Sequence, residues 1–239
     1  MTADAAALLE VCEATWPPAR TSRVGSWTIR DGAGGGKRVS AATVEEAFAD
    51  LDITLAEQAM RAIHQRPLFM IRAGDDALDA MLAGRGYDLI DKVVLYTAPI
   101  NSLMDKPIPP VTCFAIWEPL AIMAEIWALG GVGSARLDVM ARAKMKTGIL
   151  ARWNEKPAGA AFAGVHGDVA MVHAVEVLPA QRKQGVAEWI MRAAAFWGHA
   201  NGAKDIAVLC VSANKPANAL YTKLGFAPVG TYHYRQHPE

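Results

Sequence analysis

Along the second half of the chain the apolar positions switch between the alternation of strands and the three-to-four spacing of helices. Thr112–Trp117 reads as a strand, Pro119–Gly130 and Arg136–Lys146 as helices, and Gly148–Trp153, Gly159–His166 and Val169–Val177 as strands. Helix Gly185–Asn201, strand Ile206–Val211, helix Lys215–Leu224 and a closing strand near Gly230–Arg235 follow. Val172–Val177 is too apolar for a half-exposed strand and belongs inside a sheet, where Pro179 ends it. In the first half, Ser26–Arg30 and Lys37–Val44 read as strands joined across Asp31–Gly36. A helix around Thr54–His64 comes next, then a strand, a helix and a strand. The pattern is a mixed α/β (α+β) chain.

The chain also repeats itself. An offset of 139 residues lays the segment around 66–96 on that around 205–235, so that Asp75 falls on Asn214, Gly86 on Gly225 and Tyr87 on Phe226. Each copy runs from an apolar strand through Asp or Asn into a helix, then to a glycine suited to the left-handed position past a helix end. Leu82 occupies the place of Tyr221. Two copies of one unit imply two related domains. Pro107, Pro109 and Pro110 interrupt any helix at the junction, which places the domains at 1–106 and 107–239.

Composition narrows the functional classes. With 239 residues, 52% hydrophobic and 20% charged, the chain is neither disordered nor a long coiled coil. Its 24 basic and 24 acidic side chains cancel, leaving no global field to gather nucleic acid or an anionic membrane. The balance is uneven: residues 1–109 carry 11 Lys/Arg against 15 Asp/Glu, and residues 110–239 carry 13 against 9, so an anionic ligand prefers the second half. Cys12, Cys113 and Cys210 are odd in number and far apart, which argues against a disulfide framework and for a reducing cytoplasm. Met1–Trp16, with Asp4, Glu10 and Glu13, does not read as a secretory signal, and Glu118, Pro119 and Glu125 interrupt the one apolar stretch of membrane-like length.

The strongest local signal is VHAVEVLPAQRKQGVAEWIMRAAAFW, Val172–Trp197. Arg182, Lys183, Gln184 and Gly185 form a turn opening directly into an amphipathic helix, with Val186, Ile190, Ala194 and Trp197 on one face and Glu188 and Arg192 as an i, i+4 pair. Helix N–H groups without partners, a favourable dipole and a glycine that admits a close ligand make this a pyrophosphate site, unless it is a solvated basic turn.

These residues, V-L-P-A-Q-R-K-Q-G-V-A, together with N-K-P-A-N-A-L-Y-T-K-L-G-F later on, resemble the GNAT acetyltransferase superfamily over residues 110–239. The first motif is similar to its acetyl-CoA loop, Arg/Gln-x-x-Gly-x-Gly/Ala, at Arg182, Gly185 and Ala187. The second is similar to its late helix, with Asn214 seven residues before Tyr221. The resemblance implies two GNAT-like domains, each a mixed, mostly antiparallel sheet flanked by helices, the first degenerate. It implies acetyl-CoA as cosubstrate, the backbone of Val175 and Val177 pairing with the pantetheine arm, the loop from Arg182 through Lys183, Gln184, Gly185, Val186 and Ala187 holding the pyrophosphate, and Asn214 contacting the arm.

The implied reaction is acetyl transfer to a primary amine by direct attack. It needs a base for the ammonium and an acid for the leaving thiolate. Tyr221, with a phenol pKa of about 10, suits the acid role; otherwise it packs beside Leu220 and Leu224. His173 lies where arylalkylamine N-acetyltransferases carry a proton-relaying histidine, and a hydrogen-bonded core histidine is its other reading. Glu176 is the second candidate base, or else an ion-pair partner across the sheet. Strand alternation puts His173 with Val175 and Val177 on one face and Glu176 on the other. A non-catalytic acyl-CoA-binding sensor or scaffold would keep the loop without needing His173 and Tyr221. A homodimer surface is a further role open to the plentiful Met and Trp.

Other features carry no site. Asp31–Arg38 departs from a Walker A loop at Asp31 and Arg38 and reads as a mobile hairpin loop. His64, His166, His199, His233 and His237 have no zinc spacing, so no metal is expected. The tail Thr231–His237 is too short to argue nucleic-acid binding. The acceptor is a small-molecule or peptide amine, with no nucleic-acid or membrane partner.

Overall fold

The computed structural model describes residues 3–44 and 52–238. In chain order the elements are α1 (Ala5–Thr15), β1 (Arg20–Val24), β2 (Trp27–Asp31), β3 (Thr43–Val44), α2 (Ile53–Ala62), β4 (Leu68–Ile71), α3 (Asp76–Gly84) and β5 (Asp88–Pro99). Then come β6 (Cys113–Ile116), α4 (Ala121–Leu129), α5 (Ser134–Arg142), β7 (Met145–Trp153), β8 (Lys156–His166), β9 (Val169–Val177), α6 (Val186–Ala200), β10 (Asp205–Val211), α7 (Lys215–Lys223) and β11 (Ala227–Gln236).

Most second-half expectations are met within a few residues. Arg136–Lys146 is the exception: the helix stops at Arg142, and Met145 and Lys146 open β7. In the first half, Lys37–Val44 is not one strand. Lys37–Val39 forms a 3₁₀ turn, Ala42 makes a single parallel bridge to Phe69, and Thr43–Val44 pairs with Trp27 and Thr28. β2 instead forms its hairpin with β1, a strand of mostly exposed residues whose apolar alternation is too weak to read.

The chain forms two compact units, residues 1–17, 95–210 and 214–229 in one, and 18–94, 211–213 and 230–239 in the other. The division therefore falls inside β5 and β11 and not at the proline-rich segment near residue 106. The repeat predicted from sequence is present as β4–α3–β5 and β10–α7–β11, with Gly86 at φ 81° and Gly225 at φ 84° in the left-handed position after each helix. Each copy nevertheless gives away the second half of its closing strand. Leu95–Pro99 of β5 belongs to the unit holding α7, and Gly230–Gln236 of β11 to the unit holding α3.

In the first unit the strands lie in the order β5-β10-β9-β8-β7-β6. β6 to β9 are antiparallel neighbours, and β9 and β10 are parallel. α6 closes on β8 and β9 through Val186, Ile190 and Ala194, all buried as the helical period requires. Arg192, also on α6, is buried and satisfied by Glu188, Asp105 and the Leu103 carbonyl. α1, capped by Asp4 accepting from the Ala7 N–H, packs on β8 and β9. The second unit has a β1-β2-β3 sheet, an antiparallel β4–β11 pair and a core that includes Trp27, Ile53, Met60, Phe69, Leu78 and Leu82.

Among the described residues no helix is long and apolar enough to cross a membrane, and no group of three or more His, Cys, Asp or Glu side chains could hold a metal.

Candidate active site

The site begins with an irregularity in β9. Its antiparallel register with β8 pairs Phe162 with His173 but Ala160 with Glu176, so three steps on β9 match two on β8. The extra residue is a β-bulge at Ala174, whose φ is 48°. An alanine held there needs outside support. Trp127 of α4 supplies it, its indole N–H donating to the Ala174 carbonyl at 2.9 Å. On the other side of β9 the parallel register with β10 runs from Asp205↔Val169 to Val208↔Val172 and ends before His173. Val175 and Val177, half-buried, lie beyond that end on a strand bent by the bulge.

β9 leads into a short 3₁₀ turn, Pro179–Gln181, and then into the basic loop. Arg182 Nε donates to the Val177 carbonyl at 3.1 Å and Gln184 Nε2 to the Ala180 carbonyl at 3.0 Å, folding the loop back on its own stem. Lys183 at φ 61° and Gly185 at φ 83° are both left-handed, and Gly185 is the N-cap of α6. No side chain caps that helix, so the N–H groups of its first turn, Val186, Ala187 and Glu188, are presented at an exposed loop. A Cβ built on Gly185 would meet nothing within 4 Å; the left-handed φ favours glycine there, and its missing side chain leaves room above the backbone.

Tyr221, on α7, is 5% exposed, with its ring 5.9 Å from Tyr96 and 5.8 Å from Phe226. Burial, with Cys210 and Tyr96 nearby, pushes its phenol well above the ordinary tyrosine range, so it stays protonated throughout the neutral region. Tyr96 gives its own hydroxyl proton to Asn218 at 2.9 Å. Asn214 caps α7, its side-chain oxygen accepting from the Ala217 N–H at 3.3 Å.

The bulge corrects the strand-face expectation. Phe162 and Ala160 are two apart on β8 and share a face, so their partners His173 and Glu176 share it too. Alternation predicted opposite faces because it allowed for no extra residue. His173 is 4% exposed, its Nε2 2.9 Å from Thr15 Oγ1 and its ring 5.0 Å from Trp16 and 6.0 Å from Phe162. Glu176 is half-buried, and burial raises its carboxyl above the usual range, opposed by Arg182 and Arg136. Its carboxyl rests on Gly130 at the end of α4, where an added Cβ would lie 2.2 Å from Cδ. Replacing Gly130 by alanine is therefore expected to turn the flexible carboxyl outward at little cost in stability. Its pKa should fall toward the solvent value, checked by the Glu176 carboxyl shift in an NMR pH titration.

The bulged strand β9 thus runs into a left-handed loop and a helix without a side-chain cap. Residues 122–226 match the Acetyltransferase (GNAT) family. The C-terminal half of the chain carries a GNAT acetyltransferase domain. The chain is 25% identical over 232 residues to the uncharacterized N-acetyltransferase YobR of Bacillus subtilis (strain 168), covering 93% of this chain and 94% of that one. Among solved structures it is similar to a GCN5-related N-acetyltransferase from Kribbella flavida, with TM-score 0.71 at 16% identity over 98% of this chain and 96% of that one. A tandem GNAT protein from the clavulanic acid biosynthesis pathway gives TM-score 0.60 at 15% identity over 94% and 86% of the two chains.

Within this GNAT unit, His173, Val175, Glu176 and Val177 lie on one strand, and Arg182, Lys183, Gln184, Gly185, Val186 and Ala187 on the loop and helix start that continue it. Tyr221 and Asn214 lie together on the helix after β10. Sequence reading missed Thr15, Trp16, Trp127 and Gly130. The first two lie at the C-terminal end of α1, and the role of all four depends on tertiary contacts. The other GNAT-like unit has Leu82 fully buried where Tyr221 stands in the first.

Proposed function

We propose that the protein moves an acetyl group from acetyl-CoA to a primary amine by direct attack. The observation that carries this is the bulged end of β9, beyond its register with β10, leading through one 3₁₀ turn into the left-handed loop and uncapped N-terminus of α6. A β-strand edge beside an anion-binding turn suits an amide-containing arm that ends in a pyrophosphate. The backbone of Val175 and Val177 would bind the arm, Arg182–Ala187 the pyrophosphate, and Asn214 the arm from the α7 side.

His173 accepts the ammonium proton, which frees the nitrogen lone pair to form the C–N bond to the thioester carbonyl. As the C–S bond breaks, Tyr221 gives its proton to sulfur, the second proton lost from nitrogen returns to the Tyr221 oxygen, and the first leaves His173 to solvent. Glu176 is a second candidate base, favoured by its place on the His173 face and by its raised carboxyl. The acceptor would be a small-molecule or peptide amine.

Isothermal titration with acetyl-CoA and CoA, followed by thiol release across a panel of amines, tests the proposal. Binding with amine-dependent release supports it; binding with no release would favour an acyl-CoA sensor, and no binding would overturn it. The bases separate by substitution. If His173 is the base, His173→Gln lowers kcat about 100-fold and removes the acid limb of the pH profile, while Glu176→Gln keeps that limb. The reverse pattern assigns the role to Glu176.

A further inference from the structure

The hydroxyl of Thr15 makes two short contacts with different consequences. Its oxygen lies 2.7 Å from the Val11 carbonyl, one turn back on α1, and 2.9 Å from His173 Nε2. Two oxygens that close repel unless a proton lies between them, so the only hydroxyl proton goes to Val11. Toward His173, Thr15 can then only accept. Nε2 must carry hydrogen and donate it, and in the neutral ring Nδ1 becomes the proton-accepting nitrogen.

The surroundings hold this arrangement in place. Thr15 is 1% exposed, and a Cβ on Gly164 of β8 would stand 2.8 Å from its own Cβ, so the side chain has no room to turn. Trp16 lies 30° from the plane of the imidazole and packs edge-on against Phe162, restricting rotation of the ring. Arg142 Nε donates to the Pro17 carbonyl at 3.2 Å and fixes the chain just past α1.

We infer that Thr15 is a positioning residue: it locks His173 in the Nε2–H tautomer, so that Nδ1 is the nitrogen that takes the substrate proton. This rests on His173 as the base, and it gives the N-terminal helix a catalytic purpose beyond packing.

Nitrogen-15 NMR of imidazole-labelled protein tests it on the full chain. The parent should show His173 with a protonated Nε2 and an unprotonated Nδ1 at neutral pH. Thr15→Val, similar in shape but without the acceptor, should mix the tautomers and lower kcat about tenfold with KM for acetyl-CoA unchanged. Thr15→Ser should restore both. A parent with Nδ1–H overturns the inference without any variant being made, and so does Thr15→Val with unchanged tautomer or unchanged kcat. Full turnover by His173→Gln, with Nε2–H still observed in the parent, overturns the base assignment alone.

Discussion

Replacing Tyr221 by phenylalanine is expected to lower kcat by about 100- to 1,000-fold while leaving the Kd for acetyl-CoA within about twofold. The change removes one oxygen and keeps the ring that packs on Tyr96 and Phe226, so the fold and the neighbouring binding surfaces should persist. The thiolate must then leave without a proton. Tyr96 is poorly placed to substitute, because its hydroxyl is already donated to Asn218. Burial raises the Tyr221 phenol, so the acid stays competent as pH rises through the ordinary tyrosine range, and the parent's basic limb should lie above about pH 10. Single-turnover thiol release with titrated acetyl-CoA separates the two effects. An unchanged rate would remove Tyr221 from the mechanism, and a loss of affinity of the same size would make it a packing residue.

The second large effect is expected at Gly185. Aspartate there should weaken acetyl-CoA binding by about 100-fold, because a carboxylate about 5 Å from a pyrophosphate at an effective dielectric of about 20 costs roughly 3 kcal/mol. Asparagine has nearly the same shape and tolerates the left-handed backbone of φ 83°, so Gly185→Asn should cost less than about tenfold. Both side chains meet the same left-handed backbone, so any fall in melting temperature should be shared by the two variants and only the affinity should separate them. Calorimetric titration of the two variants against acetyl-CoA decides the matter. Equal affinities would mean that no anion sits at the start of α6.

The two kinds of information contributed differently to the site. The loop was legible because its chemistry is local: Arg182, Gly185 and the apolar face of α6 lie within a few turns of one another, and a left-handed glycine before a helix follows from their order. Tyr221 was legible through the motif around it and through its contrast with Leu82 in the repeat. The face shared by His173 and Glu176 was not. The bulge between them is carried by Ala174, a residue type that does not announce a positive φ, and it is supported by Trp127, 47 positions away. One extra residue reversed the parity on which alternation relies.

By itself the sequence determined the order of elements in the second half, the internal repeat with its paired glycines Gly86 and Gly225, and the glycine turn that opens α6. Each of these depends on steric and periodic preferences that act over a few residues. The tertiary structure alone decided that the units divide within β5 and β11, and that α1 packs on β8 and β9. Thr15 meets His173 across 158 positions, and such a contact is selected by complementary packing of whole elements. No local pattern of residues records that choice.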